Sequence, residues 1–403
     1  MLRMMPRVCV FLMMAASWML PNNTGASSAL PSDANPTRSP ITIPAPPALS
    51  APTYVLIDQR SGQTLVQKDP ERRVEPASLT KMMTIYVVDQ ALQAGRIQLG
   101  DLVNISEKAW RATGSRMFVN VNTQVRIEDL RRGVIVQSGN DASIALAEHL
   151  AGSEEAFSGW MNEQAAALGL RGTHFVNATG LPDPLHYSTA ADMALLAQAL
   201  IRDFPESYRL YAEKEFVYQN IRQENRNRLL WRNELVDGIK TGHTDNAGYC
   251  LVASGQKDQT RLIAVLMGAE SDKQRIEESN QLLNYGFRFF ETRKLYAANT
   301  PLTQSRIWLG TEKTLALGLS EDLYVTVPVG QEVPMPSLTI AQTIKAPASM
   351  ESRLGTLVLK RGDQIIAQRP LIALKEVALA GFFSRSWDRV HLSAYQLWDK
   401  AVH

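Results

Sequence analysis

Residues 75–84 read E-P-A-S-L-T-K-M-M-T and open a stretch in which apolar residues recur at helical spacing. Pro76 is favourable in the first turn of a helix, and the pattern predicts a helix over residues 78–94. Because Ser78 and Lys81 are three positions apart, they share one face of this helix, and the amine can reach the hydroxyl. The stretch therefore predicts a helix whose first turn presents a serine beside a lysine.

This serine–lysine pair has the chemistry of an activated nucleophile. The positive end of the helix dipole disfavours a charged Lys81, and burial would lower the pKa of its amine further. A neutral lysine can take the proton of Ser78, which makes the serine a nucleophile. An S-x-x-K pattern alone is weak evidence, because most such matches are solvated helix residues.

A second motif, Ser138-Gly139-Asn140, lies between two predicted helices. Gly139 allows a tight turn, so that Ser138 and Asn140 can both face a cleft. A Ser138 hydroxyl beside the Lys81 amine could relay a proton to a leaving amine. The Asn140 amide could hold a substrate carbonyl or the lysine. Alone, this tripeptide indicates only a loop.

A third motif, Lys240-Thr241-Gly242, follows at the end of a predicted strand over residues 236–240. Side chains alternate along a strand, so Lys240 and Gly242 are expected on one side and Thr241 on the other. Gly242 would let a substrate backbone approach closely. The charge of Lys240 would attract a carboxylate and lower the pKa of Lys81.

The remaining patterns predict a mixed α/β fold, in which a sheet is flanked by helices and a helical cluster is inserted between its strands. Over residues 53–293, which are expected to form the catalytic domain, the segments are as follows. Helices are predicted at 78–94, 127–138, 141–151, 154–168, 190–202 and 273–290, and strands at 54–58, 63–67, 236–240, 249–254 and 261–267.

The pattern changes near residue 294. Residues 323–329 alternate, and two further short runs flank the turn signal Arg361-Gly362-Asp363, so residues 294–378 are predicted to form a small all-β domain, of the sandwich type. Residues 379–403 form an amphipathic pattern rich in Phe and Trp. This helix could dock on the β domain, but we favour a membrane-surface anchor, because aromatics beside Arg and Lys suit the headgroup interface.

The N-terminus has the pattern of an export signal. Positive residues precede an apolar run over residues 8–20, and small residues follow, so residues 1–29 are predicted to be a cleaved signal peptide. A membrane anchor is the alternative, although the run is shorter than the ~20 residues that a spanning helix needs. Residues 30–52 contain seven prolines and are expected to be an extended linker.

Composition excludes several classes of function. The 403 residues suggest two folded domains, and a net charge of +2 without clustered Lys or Arg gives no basis for a nucleic-acid partner. The six histidines are scattered, and no Cys or His spacing indicates a metal or another cofactor. Cys9 lies in the signal, so Cys250 cannot form an internal disulfide and is expected to be a buried small side chain.

In this order, the three motifs resemble those of penicillin-binding proteins and class A β-lactamases. Longer stretches resemble the serine-type, low-molecular-mass D-alanyl-D-alanine carboxypeptidases of the peptidase S11 kind, over nearly the whole mature chain. They are E-P-A-S-L-T-K-M-M-T (75–84), Q-S-G-N-D-A (137–142), D-G-I-K-T-G-H-T (237–244) and F-R-F-F-E-T (287–292).

The resemblance implies a role for each matching residue. Ser78 would attack the carbonyl between the two terminal D-alanines, Lys81 would be the general base, and Ser138 would pass the proton to the departing D-alanine. Asn140 would position the acyl chain, and Lys240 and Thr241 would bind the terminal carboxylate. The backbone N–H groups of Ser78 and His243 would stabilise the oxyanion. Arg275 would match the arginine that the family has near the carboxylate end of the substrate. The alternative for Arg275 is a solvated position on a helix. Arg226 is a weaker candidate for this role, and for it a surface position without a role in binding is favoured.

The resemblance also implies partners and location. A peptidoglycan stem peptide ending in D-Ala-D-Ala would be the substrate, and β-lactams would acylate the serine. The protein would work in the periplasm, held peripherally at the outer face of the inner membrane by its C-terminal helix. Residues 180–187 keep the family's G-L start but not its usual following residues, which puts substrate preference or deacylation rate in doubt.

Three alternatives share the motifs. A β-lactamase needs a glutamate-activated water, and the single Glu between residues 162 and 188 is Glu163, which lacks the E-x-x-L-N pattern. A non-catalytic penicillin sensor or scaffold would acylate without turnover. An endopeptidase or transpeptidase would use the same chemistry, but the small catalytic domain and the amphipathic tail favour a carboxypeptidase.

Overall fold

The structure is a computed structural model that describes residues 43–402, with side chains to residue 394. The helices are α1 Lys81–Gln93, α2 Glu107–Trp110, α3 Ile127–Arg132, α4 Asn140–Ala151, α5 Glu154–Ala167, α6 Ala190–Asp203, α7 Pro205–Tyr208, α8 Leu229–Arg232, α9 Asp272–Phe289 and α10 Phe382–Val402. The strands of the first domain are β1 Thr53–Asp58, β2 Thr64–Lys68, β3 Leu102–Asn104, β4 Gln124–Arg126, β5 Glu215–Tyr218, β6 Ile221–Glu224, β7 Val236–Thr244, β8 Gly248–Lys257 and β9 Thr260–Ala269. Those of the second are β10 Phe290–Tyr296, β11 Thr303–Trp308, β12 Thr314–Gly318, β13 Leu323–Pro328, β14 Ser337–Ile340, β15 Ile344–Lys345, β16 Arg353–Arg361 and β17 Gln364–Ala373.

The first domain is built on a five-stranded antiparallel sheet with the strand order β2-β1-β9-β8-β7. Successive residues of β1 face opposite sides, as strand geometry requires. Val55 and Ile57 pack in the core that contains α1 and α6, whereas Tyr54 and Leu56 pack in the core that contains α9. The predicted mixed α/β fold is confirmed: helices cover both faces of the sheet, and α2–α8 lie between β2 and β7 in the chain.

Helix α1 is buried around most of its circumference, which places the serine–lysine segment inside the domain. A turn of 3-10 helix, Ala77–Thr80, precedes α1, so Ser78 lies in this turn and Lys81 begins the α-helix. Helix α3 continues as a π-helical turn, Gly133–Gln137, that ends at Ser138. The predicted helices at 78–94 and 127–138 are therefore present, each with one non-α turn.

Strand β7 is longer than predicted. It runs to Thr244, and Lys240 to Thr244 pair with β8 in regular antiparallel register. The polar run after Lys240 resembles a loop in the sequence, but its backbone groups are satisfied by the neighbouring strand. The third motif therefore lies within a sheet-edge strand, where its side chains have fixed directions.

The second domain is all-β, as predicted. A six-stranded sheet has the order β14-β16-β17-β12-β11-β15, and β10 pairs with β13. Two apolar clusters fill this domain, one around Ile307 and Leu315 and one around Val325 and Leu357. Since β10 begins at Phe290, directly after α9, the change of architecture falls there, and the domain limits given from the sequence stay a prediction.

Helix α10 has one face against the second domain and one face that is exposed. The Asp388 carboxylate, buried at 2% exposure, accepts hydrogen bonds from the backbone N–H of Leu309 (3.0 Å) and from Lys313 Nζ (3.0 Å). Among the side chains of this helix that the structure describes, four large apolar ones are exposed: Phe382, Phe383, Trp387 and Val390. Within the described part of the chain, no helix combines the length and apolarity needed to span a bilayer.

The segment before β1 is extended but docked. Residues 43–52 form no helix or strand, yet Ser50 and Ala51 donate backbone hydrogen bonds to the Glu278 carboxylate on α9 (3.0 and 3.1 Å). The proline-rich pattern could not indicate this contact, because its acceptor is more than 200 residues away. The predicted signal peptide, residues 1–29, lies outside the described residues.

Candidate active site

The three sequence motifs meet around one cleft of about 470 Å³. It is bounded by the 3-10 turn before α1, by the turn between α3 and α4, and by β7. Such a volume lies within the range of ~300–1,000 Å³ that is usual for ligand sites. The lining residues are Ser78, Gly114, Ser115, Ser138, Asn140, Thr179, Gly180, Leu181, Arg226, Thr241, Gly242, His243, Thr244, Tyr249 and Arg275.

Lys81 lies beside the candidate nucleophile. Its Nζ is 2.9 Å from Ser78 Oγ, 2.6 Å from Asn140 Oδ1 and 2.6 Å from the backbone oxygen of Thr179. The two amide oxygens can only accept hydrogen bonds. In a neutral amine, both N–H groups are therefore directed to Asn140 and Thr179, and the lone pair is left for the Ser78 hydroxyl. This is the arrangement that a general base requires.

The environment of Lys81 favours the neutral amine. The side chain is 1% exposed, and burial lowers its pKa from 10.5 to about 7, against the opposing charges of Asp141 and Glu154. Burial does this because a low-dielectric surrounding penalises the charged form. The predicted effect of the Lys240 charge on the Lys81 pKa is not needed, because burial alone accounts for the direction of the shift.

The turn at the second motif has its left-handed residue at Ser138 and not at Gly139. Ser138 is left-handed, with φ +65°, whereas Gly139 has φ −60°. Gly139 is required for another reason: a Cβ there would lie 2.8 Å from Asp141 Oδ1 and 3.2 Å from the backbone nitrogen of Met117. Glycine is therefore needed at this position for the close packing of the turn and not for its backbone angles.

The Ser138 hydroxyl contacts the second buried lysine rather than the first. It accepts a hydrogen bond from Lys240 Nζ at 2.9 Å, and Lys240 also donates to the oxygen of Thr241 (3.0 Å). Lys240 is 2% exposed, and its pKa lies well below the ordinary value. Burial is the main cause, and the positive charges of Lys81, Arg275 and Arg226 lower the pKa further. A Ser138–Lys240 pair can accept and return a proton beside the cleft.

Asn140 is fixed by its neighbours. Its Nδ2 donates to the backbone oxygen of Thr113 (2.6 Å), so its Oδ1 is directed to Lys81. The amide therefore holds the lysine, which is one of the two contacts predicted for it. The next residue, Asp141, accepts backbone hydrogen bonds from Met117, Phe118 and Val119. These bonds hold the loop that contains Gly114 and Ser115 against the cleft.

Gly242 has a packing role that the sequence did not indicate. A Cβ at this position would lie 2.9 Å from the oxygen of Pro76 and 3.2 Å from Ala77 Cβ. Gly242 therefore lets β7 pack on the start of the serine turn, and because it also lines the cleft, its approach to a substrate backbone stays a prediction. Thr241 lines the cleft beside it, and His243 is exposed at the rim with its ring 4.0 Å from that of Tyr249.

Arg275 is buried at the base of the cleft. Its Nη1 donates to the oxygens of Gly242 (2.9 Å) and Cys250 (3.2 Å), and its guanidinium also pairs with Asp272. It is 7% exposed, so the alternative of a solvated helix arginine is wrong. Arg226 lines the same cleft, is exposed, and has no side-chain partner among the described residues, so its charge is free for a ligand.

Sequence reasoning missed two features of the site. The Thr179 oxygen that binds Lys81 is a backbone atom, which leaves no signature in residue identity. Ala77, directly before the nucleophile, has φ +47°, which costs a non-glycine residue on the order of 1–2 kcal/mol. Positive φ at an alanine cannot be inferred from composition, because alanine rarely adopts it.

Other groups in the described residues do not form a second centre of this kind. Cys250 is fully buried, as predicted, and burial raises the pKa of its thiol to about 11. Across residues 43–402, no group of three or more His, Cys, Asp or Glu could hold a metal ion.

Two family models match the chain. One, described as D-alanyl-D-alanine carboxypeptidase, matches residues 41–271, and one, described as Penicillin-binding protein 5, C-terminal domain, matches residues 290–379. The chain is 44% identical to the D-alanyl-D-alanine carboxypeptidase DacA of Escherichia coli (strain K12) over 360 residues, which cover 87% of this chain and 89% of that protein. It is 45% identical to DacC of the same strain over 360 residues, covering 87% and 90%.

The chain is also similar to a solved structure of a penicillin binding protein. Penicillin binding protein 5 from Haemophilus influenzae superimposes with a TM-score of 0.79 and 43% sequence identity, covering 83% of this chain and 99% of that chain.

Proposed function

The chain belongs to the D-alanyl-D-alanine carboxypeptidase family, and from this premise we propose that it releases the terminal D-alanine of peptidoglycan stem peptides through an acyl-enzyme on Ser78. The observation that carries the proposal is the set of three contacts at Lys81 Nζ. Two of them are acceptors that consume the N–H groups of a neutral amine, and the third is the hydroxyl that must lose its proton.

Acylation begins when Lys81 takes the proton of Ser78 and Oγ attacks the carbonyl carbon of the penultimate D-alanine. The carbonyl π-electron pair moves to oxygen, where the backbone N–H groups of Ser78 and His243 are the proposed donors. Collapse of the tetrahedral intermediate breaks the C–N bond, and the departing amine takes, through Ser138, the proton that Lys81 removed from Ser78. Water then hydrolyses the acyl ester and restores Ser78.

The charges around the cleft suit a substrate with a free carboxylate. Thr241, Arg226 and Arg275 all line the cleft, and Lys240 lies buried behind Ser138. We assign the terminal carboxylate to Thr241 and Lys240, with Arg226 as its exposed cationic neighbour. Arg275 donates hydrogen bonds to two backbone oxygens, and its charge adds to the positive potential of the cleft.

β-Lactams are proposed to acylate the same serine, because opening of the lactam ring breaks the equivalent C–N bond. The similar solved structure from Haemophilus influenzae is that of a penicillin binding protein. Among the described residues that line the cleft, none is Asp or Glu. A glutamate-activated water therefore has no candidate base there, which argues against the β-lactamase alternative.

We place the protein in the periplasm, at the outer face of the inner membrane. The export pattern of residues 1–29 supports the compartment. Exposed Phe382, Phe383 and Trp387 on α10 support contact with a membrane surface, since docking on the second domain leaves them uncovered.

The test is the release of free D-alanine from a short peptide that ends in D-Ala-D-Ala, with wild type compared with Ser78→Ala. Release by wild type and none by the variant is the expected result. The parallel measurement is covalent labelling by penicillin, which the variant should also lose. Labelling of Ser78→Ala would place the nucleophile elsewhere, and labelling of wild type without D-alanine release would favour a penicillin sensor.

A further inference from the structure

The loop between α5 and α6 provides one of the three ligands of Lys81 without being part of any catalytic motif. Residues 176–180 of this loop lie against the serine turn and the start of α1. The oxygen of Thr179 accepts from Lys81 Nζ (2.6 Å), and the oxygen of Ala178 accepts from Thr84 Oγ1 (2.7 Å). The contact is tight at Gly180, where a Cβ would lie 1.8 Å from the oxygen of Ala77.

One side chain ties this loop to the serine helix. His186 is 2% exposed, its Nε2 is 2.7 Å from Thr80 Oγ1, and its Nδ1 is 3.1 Å from the backbone nitrogen of Val176. Thr80 lies between the nucleophile and the base in sequence, and Val176 lies three residues before Thr179. The imidazole therefore bridges the two segments whose relative position sets the Lys81–Thr179 contact.

The hydrogen bonds fix the tautomer of His186. The N–H of Val176 can only donate, so Nδ1 must be the acceptor and cannot carry a proton. Nε2 then carries the hydrogen and donates to Thr80 Oγ1. A second proton would have to go to Nδ1, against the N–H of Val176, and burial accordingly lowers the pKa of His186 to about 4. The imidazole is therefore a neutral, two-ended clamp.

We propose that His186 is a positioning residue for the general base: it holds the 176–180 loop on the serine helix, and so keeps the Thr179 oxygen in place as an acceptor for Lys81. This rests on the proposed function, in which neutral Lys81 takes the proton of Ser78. With the Thr179 oxygen fixed, the amine has both N–H groups engaged and its lone pair directed at Ser78. Without it, the amine can rotate, and water enters beside it.

The consequence for acylation has a definite sign. Burial is the largest cause of the low pKa of Lys81, so a loosened loop that admits water moves this pKa up, towards 10.5. The other titratable groups around Lys81 and His186 are Asp141, Glu154, Lys240, Asp183 and His174, and all of them are retained in the His186 variants. A shift of the acid limb of the acylation profile therefore reports on the clamp.

The experiment compares His186→Leu with His186→Gln and with His174→Leu, in the full chain. Leucine keeps the bulk but removes both hydrogen bonds, whereas a glutamine amide supplies one acceptor and one donor. His174 lies in the same loop, where its Nδ1 bonds the oxygen of Leu185, away from Lys81, and it is the matched control. The readout is the second-order rate constant for acylation by benzylpenicillin between pH 5 and 9.

For His186→Leu we expect the acid limb to move up by roughly 0.5–1 pH unit, with an acylation rate about three- to tenfold lower at pH 6. His186→Gln should restore most of the rate, and His174→Leu should match wild type. If His186→Leu does not fold, Thr80→Val removes the same hydrogen bond at its other end and should give the same shift.

Two results would overturn the inference. One is an acid limb that stays in place in His186→Leu and in Thr80→Val. The other is a rate that falls equally at every pH, which indicates loss of folded protein only. Failure of the proposed function has a separate signature, because wild type would then show no labelling at Ser78 at any pH.

Discussion

At the residue scale, the sequence was sufficient to predict which residues come together at the cleft, but it indicated their contacts only in part. Ser78, Lys81, Ser138, Asn140 and Lys240 converge as their motifs implied. What the motifs could not indicate is which oxygens and glycines hold them. The Thr179 oxygen is a backbone atom, and the place of Gly242 depends on a turn more than 160 residues earlier.

The pKa of Lys81 predicts the pH dependence of acylation. Lysine acts as base only when neutral, and its pKa of about 7 in the folded protein means that the neutral fraction rises as pH increases through 7. We expect the acylation rate constant to be half-maximal near pH 7 and about tenfold lower one unit below the midpoint than on its plateau. The measurement is benzylpenicillin acylation of wild type across pH 5–9.

The control for this profile is Lys257→Ala, which removes an exposed lysine at the end of β8 and should leave the curve unchanged. An acylation rate that is constant between pH 6 and 8 would mean that Lys81 is not the group whose deprotonation limits acylation.

At the element scale, periodicity identified the long elements and missed the short ones. Helices α1, α4, α5, α6 and α9 and the five strands of the main sheet follow from apolar spacing. The strand pairs β3–β4 and β5–β6 have three or four residues a strand, and such strands depend on tertiary contacts rather than on their own pattern. The extension of β7 to Thr244 likewise depends on its pairing with β8.

The packing of β7 on the serine turn predicts the effect of Gly242→Ala. The added methyl group would meet backbone and Cβ atoms of Pro76 and Ala77, which cannot move as a flexible side-chain end would. We expect a loss of about 1–3 kcal/mol in the free energy of unfolding. Acylation should also slow, because the N–H groups of Ser78 and His243 would be forced apart.

Urea unfolding and penicillin labelling measure the two effects. The matched variant is Gly100→Ala, since a Cβ at Gly100 has no heavy atom within 4 Å and should change neither. Equal behaviour of the two variants would show that β7 does not pack on the turn as described.

A buried ion pair joins the two helices that lead to the catalytic motifs. Arg131 on α3 donates to Asp89 Oδ1 on α1 at 2.6 Å, and both side chains are at most 5% exposed. Removing only the cation leaves a buried carboxylate without its partner, so Arg131→Met should cost about 3–5 kcal/mol of stability. The double variant Arg131→Met with Asp89→Leu should recover most of this loss, since it buries no unpaired charge.

Thermal unfolding of the three proteins decides the point. A double variant as unstable as Arg131→Met would mean that the lost stability comes from packing around the arginine and not from the unpaired carboxylate. D-alanine release at 25 °C should change less than stability does, because neither residue contacts the cleft.

At the scale of the whole molecule, the two domains are joined by polar contacts that fix their relative position. Thr292 Oγ1 donates to the buried Asp58 carboxylate (2.5 Å), and Ser61 and Thr326 share a hydrogen bond of 2.7 Å. Arg60 lies over the ring of Tyr324 at 5.1 Å. Helix α10 is docked on the second domain through Asp388, so the second domain presents the exposed apolar face of this helix.

This arrangement leads to a prediction about membrane binding. Substituting Phe383→Gln and Trp387→Gln removes two exposed rings without touching the docked face of α10. Burying an aromatic side chain contributes about 1.5–3 kcal/mol, and partial burial in a headgroup layer correspondingly less. The double variant should therefore bind vesicles containing anionic lipid at least about tenfold more weakly than wild type, while its D-alanine release from a soluble peptide stays unchanged.

The control is Met335→Gln, which removes a side chain that is 90% exposed on the second domain but lies outside α10. Sedimentation with vesicles should separate the two variants, because a general loss of surface apolarity would weaken both, whereas an anchor confined to α10 weakens only the first. Undiminished binding of the double variant, and of a chain lacking residues 382–403, would show that α10 serves only to complete the second domain.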